Sequence, residues 1–235
     1  MGNEHKSLRQ RSSRQEIDQF LHQVAKTTPP PAGKGGRLIF ALDATASREP
    51  TWDHACQLQS EMFEQTRELG GLSVQLCYYR GYREFFASDW LQDTDRLLRQ
   101  MNAVSCLGGH TQIARLLTHT RDESRRQRVQ ALVFIGDCME ENVDDLCQLA
   151  GELGLLSVPV FVFHEGSDIV AGRAFKQISH LSGGAYCRFD RSSAGLLREL
   201  LGAVAVYASG GRKALEHFSH GKREEVLLLT RQLRR

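Results

Sequence analysis

Two aspartates in this sequence directly follow short apolar runs, and hydroxyl side chains accompany the first of them. Asp43 ends one run and is followed by Thr45 and Ser47, while Asp137 ends another. Two carboxylates brought together in a partly desolvated crevice repel each other, so they need a cation or a shared proton. Carboxylate and hydroxyl oxygens suit a hard divalent ion such as Mg²⁺ or Mn²⁺ better than they suit zinc.

A third segment offers another hydroxyl group. Thr111 follows the turn Gly108-Gly109-His110 and stands at the start of an amphipathic segment. Such a turn places the hydroxyl at the beginning of a helix. His110 and Cys138 are also expected near the aspartates, but their spacing assembles no nucleophile, base and orienting group. The pattern therefore indicates a cation site rather than a catalytic one.

These side chains must be positioned by an α/β domain, because short apolar runs alternate with longer amphipathic segments. Continuous apolar runs are typical of parallel strands that helices cover on both faces. The predicted strands are 38–42, 73–79, 83–86, 131–135, 158–163 and 185–189. Apolar stripes at helical spacing predict helices across 55–69, 143–150, 171–178 and 196–204.

The predicted fold is a Rossmann-like, doubly wound sheet of six strands in the order 3-2-1-4-5-6. The second and third strands flank the short loop Arg80-Gly81-Tyr82, so they form a hairpin and the third is an antiparallel edge strand. In this order the first and fourth strands are neighbours, and ligands bind outside their carboxyl ends. Asp43 and Asp137 are therefore expected to converge.

The two ends of the chain differ from this central part. Residues 1–36 are predicted to form an N-terminal helix and a Pro/Gly-rich linker, 37–210 the α/β domain, and 211–235 a basic helical extension. The net charges of these three parts are +3, −5 and +4. The terminal helices are expected to dock on the domain, because their apolar stripes are costly to leave in water. Pairing with each other or binding an anionic partner are the alternatives.

Composition excludes several classes of protein. Hydrophobic residues make up 41% and charged residues 25% of the 235 residues, which is ordinary globular usage. No apolar run approaches the roughly 18 residues that span a bilayer, and the N-terminal residues lack a secretory apolar stretch. The six cysteines are widely spaced and form no Cys-x-x-Cys pair. We therefore expect a cytoplasmic protein with reduced cysteines, no membrane span and no nucleic-acid ligand.

The three site segments together resemble the von Willebrand factor A (VWA) domain family and its metal-ion-dependent adhesion site (MIDAS). The resemblance covers about residues 37–208 and is carried by Asp43-Ala44-Thr45-Ala46-Ser47, Gly108-Gly109-His110-Thr111 and Gly136-Asp137, with a later helix-to-strand turn at 178–186. The family usually has serine where Thr45 stands. After the second aspartate it often has glycine, whereas this chain has Cys138-Met139-Glu140-Glu141.

The resemblance implies a set of metal ligands and a kind of partner. Thr45 and Ser47 would bind Mg²⁺ or Mn²⁺ directly, Asp43 and Asp137 mostly through water, and Thr111 directly or through water. A carboxylate from a partner protein would complete the shell. Cytosolic bacterial members often work beside AAA+ ATPases, so that partner class is also implied. The bulk of the segment Cys138-Met139-Glu140-Glu141 is a candidate for crowding the metal, and the alternative is that Glu140 serves as an additional resident ligand.

We therefore predict a non-enzymatic protein-interaction module. One alternative is a degenerate site whose hydroxyls only cap loops and helix starts. The other is a Mg²⁺-dependent phosphohydrolase of the haloacid dehalogenase type, which also has an aspartate after its first strand. That enzyme type needs a second acid two residues later, where this chain has Thr45, and a lysine. Lys176 is the only lysine between residues 37 and 210.

Overall fold

The computed structural model describes residues 19–20, 23–24, 36–51, 72–189 and 202–208. Within these ranges six strands form one sheet in the order β3-β2-β1-β4-β5-β6, as the sequence predicts. The strands are β1 (Arg37–Asp43), β2 (Ser73–Arg80), β3 (Glu84–Ala87), β4 (Ala131–Gly136), β5 (Val160–Glu165) and β6 (Tyr186–Phe189).

Strand pairing brings the ends of β1, β2 and β4 to one edge of the sheet. β1 pairs in parallel with β2 on one side, where Asp43 is opposite Tyr79, and with β4 on the other, where Leu42 is opposite Ile135. Among the described strands only β2 and β3 pair antiparallel, through a turn at Gly81 whose φ of 58° favours glycine. The predicted edge hairpin is confirmed, and the carboxyl ends of β1 and β4 are adjacent.

Helices follow the strands on both faces of the sheet. A 3₁₀ helix (Ala46–Thr51) comes directly after β1. The α-helices are α1 (Thr94–Asn102), α2 (Ile113–Arg126), α3 (Val143–Leu155) and α4 (Ile169–Ser182). The side chains of Asp93, Asn142 and Asp168 cap the N termini of α1, α3 and α4. The apolar stripes predicted α3 and α4, whereas α1 is a helix that they did not indicate.

Side chains alternate along each strand and so form two apolar layers. On one face Phe40 and Phe161 pack with Leu97 of α1, and on the other Ile39 packs with residues of α2, α3 and α4 such as Phe175. β1, β4 and β5 are buried along their whole length. This double coverage explains why their sequences are continuous apolar runs rather than alternating ones.

Described residues of the N-terminal segment and of the last helix of the domain pack on the first of these layers. Phe20 and Val24 are buried there, and the Phe20 ring lies 5.4 Å from that of Phe163. Residues 202–208 are helical and bury Val204 and Tyr207 on the same face. These contacts agree with docking of the N-terminal helix. The predicted stripes at 55–69 and 196–201 and the extension 211–235 lie outside the described residues. None of the helices described here has the length and apolarity to cross a membrane.

Candidate metal centre

The carboxylate of Asp43 stands at the centre of the site and has no exposed surface. Its Oδ1 accepts hydrogen bonds from the backbone N–H of Thr45 at 2.8 Å and from the Thr45 hydroxyl at 2.6 Å. Its Oδ2 accepts one from the hydroxyl of Tyr79 at 3.0 Å. Burial raises the pKa of Asp43 to about 6, although the Thr45 bonds act in the opposite direction. The side chain is therefore held rigidly at the end of β1.

The turn after β1 orders the two hydroxyls that the sequence singles out. The Ser47 Oγ lies 3.1 Å from the Thr45 Oγ1, and the Arg48 N–H closes the turn on the Thr45 carbonyl at 3.0 Å. Because the Thr45 hydroxyl gives its proton to Asp43, Ser47 must be the donor in the Ser47–Thr45 contact. The proton of each hydroxyl thus points along a chain toward Asp43, and the lone pairs of Ser47 stay available to a cation.

Asp137 is brought to Asp43 by the pairing of β1 with β4. Carboxylate oxygens of Asp43 and Asp137 and the Sγ of Cys138 all lie within 4.8 Å of one another. Oδ1 of Asp137 is buried and accepts no hydrogen bond from the described residues. A buried carboxylate oxygen without a donor is costly, and the charge of Asp137 contributes to raising the pKa of Asp43. A divalent cation between the two carboxylates would offset both effects.

Thr111 is held by the loop that follows Asp137. Its hydroxyl donates to a carboxylate oxygen of Glu141 and accepts from the Glu140 N–H at 3.0 Å. Its own N–H donates to Oε2 of Glu140 at 3.0 Å, and His110 Nδ1 lies 2.9 Å from the same oxygen. The carboxylate of Glu140 is thus directed at the backbone around Thr111. The structure thus gives Glu140 a different role from that of the additional metal ligand that the sequence suggested.

Glu141 has a second role that the sequence did not reveal. Its Oε1 accepts hydrogen bonds from the N–H groups of Ile113 and Ala114 at the start of α2. The N-cap residue of that helix, Gln112, makes no side-chain capping bond. Glu141 therefore caps α2 from a loop 28 residues later, and local capping patterns give no signal for such a bond.

The Gly108-Gly109 turn packs closely against the β2–β3 hairpin. The Gly81 N–H donates to the Leu107 carbonyl and the His110 N–H donates to the Gly81 carbonyl, both at 3.2 Å. A Cβ on Gly109 would lie 1.9 Å from the Gly81 oxygen, whereas a Cβ on Gly108 would meet nothing within 4 Å. Only the second glycine of the turn is required by packing, and it positions the backbone that leads to Thr111.

Residues around the aspartates add charge and support. The buried Arg48 pairs with Glu165 at 3.0 Å, and its charge lowers the pKa of Asp43. His164 lies with Nε2 3.2 Å from the Asp137 carbonyl and Nδ1 2.8 Å from the Tyr186 hydroxyl. Since a carbonyl only accepts, Nε2 carries the proton and Nδ1 accepts from Tyr186. Burial lowers the pKa of His164, which favours this neutral form.

Cys138 has an unusual environment for a thiol. Burial raises its pKa to about 12, with further contributions from the charges of Asp137 and Asp43. The sequence indicated three of the groups that surround Asp43, namely Thr45, Ser47 and Asp137. It missed Tyr79 and Arg48, and it did not indicate that Glu141 caps α2. The one available signal was strand register, because Tyr79 is opposite Asp43.

The arrangement is therefore a cluster of oxygen donors and one sulfur at the carboxyl edge of the sheet. Asp43, Thr45, Ser47 and Asp137 come together, and Thr111 is placed at the start of α2 by the loop that follows Asp137. The paired carboxylates and the orphaned oxygen of Asp137 are compatible with a bound divalent cation.

Comparisons of the sequence and of the structure with known proteins give different results. No protein-family model matches the sequence, and no curated protein matches it. Solved structures do match the fold. A von Willebrand factor type A protein from Catenulispora acidiphila has a TM-score of 0.57 at 14% identity, over 74% of this chain and 43% of that one.

Two further structures have the same fold. The SpRpn10 VWA domain has a TM-score of 0.54 at 14% identity, over 73% of this chain and 94% of that one. Proximal thread matrix protein 1 from the mussel byssus, with zinc in its MIDAS motif, has a TM-score of 0.55 at 15% identity, over 73% of this chain and 45% of that one. This chain thus spans less than half of the Catenulispora and mussel proteins. Together with the sheet order and the edge hairpin, these likenesses show that the chain has the fold of the von Willebrand factor A domains.

Proposed function

We propose that this chain is a protein-interaction module that binds an acidic residue of a partner through a divalent cation. The observation that carries the proposal is the convergence of Asp43 and Asp137 with a buried Asp137 oxygen that no described residue satisfies. Two neighbouring carboxylates in a buried site are stabilised when a cation lies between them. The zinc-occupied MIDAS of the mussel protein supports a divalent ion at this place in the fold.

In this proposal the cation is held by Asp43, Thr45, Ser47, Thr111 and Asp137. Both oxygens of Asp43 already accept hydrogen bonds, so Asp43 acts mainly through water and by its charge. Ser47 keeps its lone pairs, since its proton goes to Thr45. Thr111 donates to Glu141 and accepts from Glu140, which leaves its oxygen one lone pair for the ion.

The oxygens of these five residues favour Mg²⁺ or Mn²⁺. The cation supplies a positive charge that an acidic group of a partner can approach, and the protein residues supply the fixed position of that charge. We propose an acidic residue of a partner protein as the ligand that completes the shell. An AAA+ ATPase is the partner class that the sequence resemblance favours, and a cytoplasmic location follows from the same resemblance and the cysteine spacing.

Mn²⁺ binding measured by electron paramagnetic resonance tests the cation site. We expect wild type to bind the ion, and we expect Asp137→Asn to weaken binding by at least about tenfold, because a direct or water-bridged ligand is lost. Asp145→Asn is the matched control, since Asp145 is an exposed aspartate at the start of α3. Equal Mn²⁺ affinity in wild type and Asp137→Asn would refute the site.

Partner recovery tests the interaction itself. Proteins captured on the full chain in Mg²⁺ should be lost in EDTA and with Asp137→Asn, and retained with Asp145→Asn. The phosphohydrolase alternative predicts turnover of p-nitrophenyl phosphate that disappears in Asp43→Asn. Thr45 counts against that alternative. It stands where the enzyme type needs a second carboxylate, and its hydroxyl donates a hydrogen bond to Asp43.

A further inference from the structure

Cys138 is the one residue of the cluster whose ligand atom is sulfur rather than oxygen. It follows Asp137 directly, and its Sγ lies within 4.8 Å of carboxylate oxygens of both Asp43 and Asp137. It is also half-buried, and it is the neighbour in sequence of Asp137, whose buried Oδ1 accepts no hydrogen bond from the described residues. Among the described residues this is the only group of three His, Cys, Asp or Glu side chains close enough to share an ion.

The spacing of these three atoms is close to what a tetrahedral ion needs. Zinc bonds to sulfur are about 2.3 Å and those to oxygen about 2.0–2.2 Å, so neighbouring ligand atoms lie roughly 3.5 Å apart. The present separations of up to 4.8 Å close to that value with shifts of about 1 Å. Cys138 lies in the loop after β4, where such a shift is easier than within the strand.

The types of ligand atom determine which ion the site binds more tightly. Mg²⁺ demands oxygen ligands in near-octahedral geometry and gains little from sulfur, whereas thiolate is among the preferred ligands of Zn²⁺. Asp43 would bind Zn²⁺ directly, through the lone pair of Oδ2 that the Tyr79 hydrogen bond leaves available. Two carboxylates and one thiolate then leave the fourth position of a tetrahedral zinc site open. An acidic residue of a partner has the chemistry to fill that position.

We propose that Cys138 is a metal ligand of this site and makes it bind Zn²⁺ in preference to Mg²⁺. The inference rests on the proposed cation site and names the ion that this chain selects. Binding replaces the S–H bond of Cys138 by a Zn–S bond, and the proton leaves to solvent. No electron is transferred. Mg²⁺ occupies the oxygen ligands when Zn²⁺ is scarce, without Cys138.

Cobalt substitution and metal competition on the full chain test the proposal. Co²⁺ should give a thiolate-to-metal charge-transfer band in wild type that is absent in Cys138→Ser. Zn²⁺ should bind Cys138→Ser more weakly by more than about 100-fold, because loss of a supporting contact alone costs about 10–100-fold in affinity. Mg²⁺ affinity should change by less than about threefold, because Mg²⁺ does not use the sulfur.

Cys147→Ser is the matched control. Cys147 is also half-buried, but it lies on α3 with its thiol 3.4 Å from Gln177 Oε1, away from the aspartates. It should keep the cobalt band and the Zn²⁺ affinity. A cobalt band or a Zn²⁺ affinity that is unchanged in Cys138→Ser would overturn the inference, while Mn²⁺ binding lost in Asp137→Asn would still support the oxygen site. Unchanged Mn²⁺ binding in Asp137→Asn would instead refute the proposed function.

Discussion

Replacing Asp43 by asparagine should stabilise the metal-free protein at alkaline pH. Burial raises the pKa of Asp43 from 3.8 to about 6, so ionisation at pH 8 costs the folded state about 3 kcal/mol relative to the unfolded state. The asparagine oxygen can accept the two Thr45 hydrogen bonds, and its amide can donate to the Tyr79 hydroxyl. Asp43→Asn therefore removes the charge and keeps the Thr45 bonds, while the bond with Tyr79 reverses its direction.

The effect should depend on pH in a defined direction. Between pH 3.8 and about 6 the folded state keeps the Asp43 proton that the unfolded state has lost. The Asp43 contribution to the free energy of unfolding thus falls as pH rises through this window. The advantage of Asp43→Asn should be about 3 kcal/mol at pH 8 and roughly half of that at pH 5.

Urea denaturation in EDTA at these two pH values measures the effect. His164 complicates the wild-type curve, because its lowered pKa makes the protein lose stability as pH falls below 6.5. Its contribution cancels in the difference between wild type and Asp43→Asn. Asp145→Asn, on the exposed first turn of α3, should instead cost less than about 1 kcal/mol. A metal-free Asp43→Asn protein that is less stable than wild type at pH 8, or equally stabilised at both pH values, would refute the reasoning.

Three further predictions concern the same region. Gly109→Ala should destabilise the fold by about 1–3 kcal/mol, because its Cβ meets the backbone of the hairpin. Gly108→Ala should be tolerated, since its Cβ meets nothing within 4 Å. Urea denaturation measures the stability of both variants. Tyr186→Phe should cost about 1–3 kcal/mol by leaving Nδ1 of His164 without its donor; Tyr82→Phe, at an exposed ring, should be neutral in the same assay. Saturating Mn²⁺ at pH 8 should raise the melting temperature of wild type, with about 2.7 kcal/mol of stabilisation at an ion concentration 100 times Kd, and EDTA should reverse it.

Much of the sheet could be predicted because its physical causes are local in sequence. β1 and β4 are covered on both faces, so each is a continuous apolar run that marks its own position. The Gly81 turn marks the hairpin, and the strand order is one of those typical of the doubly wound α/β fold that the pattern predicts. Boundaries were less accurate, because the fifth strand was predicted over 158–163, whereas β5 is Val160–Glu165.

The α1 helix escaped the pattern analysis for a reason that its sequence shows. Only Leu97 and Met101 are buried in its nine residues, Leu98 is half-buried, and the other six are polar. Two buried positions four residues apart are too few to define an apolar stripe. The stronger signal was Asp93, whose carboxylate accepts hydrogen bonds from the N–H groups of Asp95 and Arg96.

The site could be predicted only as far as strand ends and turns determine it. Asp43 and Asp137 were predicted to converge from topology, and the structure brings them together. The contacts of Tyr79 and Glu141 depend on tertiary distances between segments remote in sequence, and no local spacing encodes them. The sequence suggested only that the segment beginning at Cys138 adds bulk near the metal. The proximity of the Cys138 sulfur to both carboxylates is visible only in the structure.

The neighbouring positions of β1 and β4 also set when the site can exist. Leu38 pairs with Ala131, so joining these strands closes a loop of roughly 90 residues, one of the slower and entropically costlier steps in forming a sheet. During synthesis, Asp43 emerges long before Asp137, so the second carboxylate of the site is still missing when β1 and β2 have been made. An ion therefore cannot guide the early pairing of β1 with β2. The proposed cation can bind between the two carboxylates only after β1 and β4 have paired, and a chain interrupted before β4 lacks the second carboxylate.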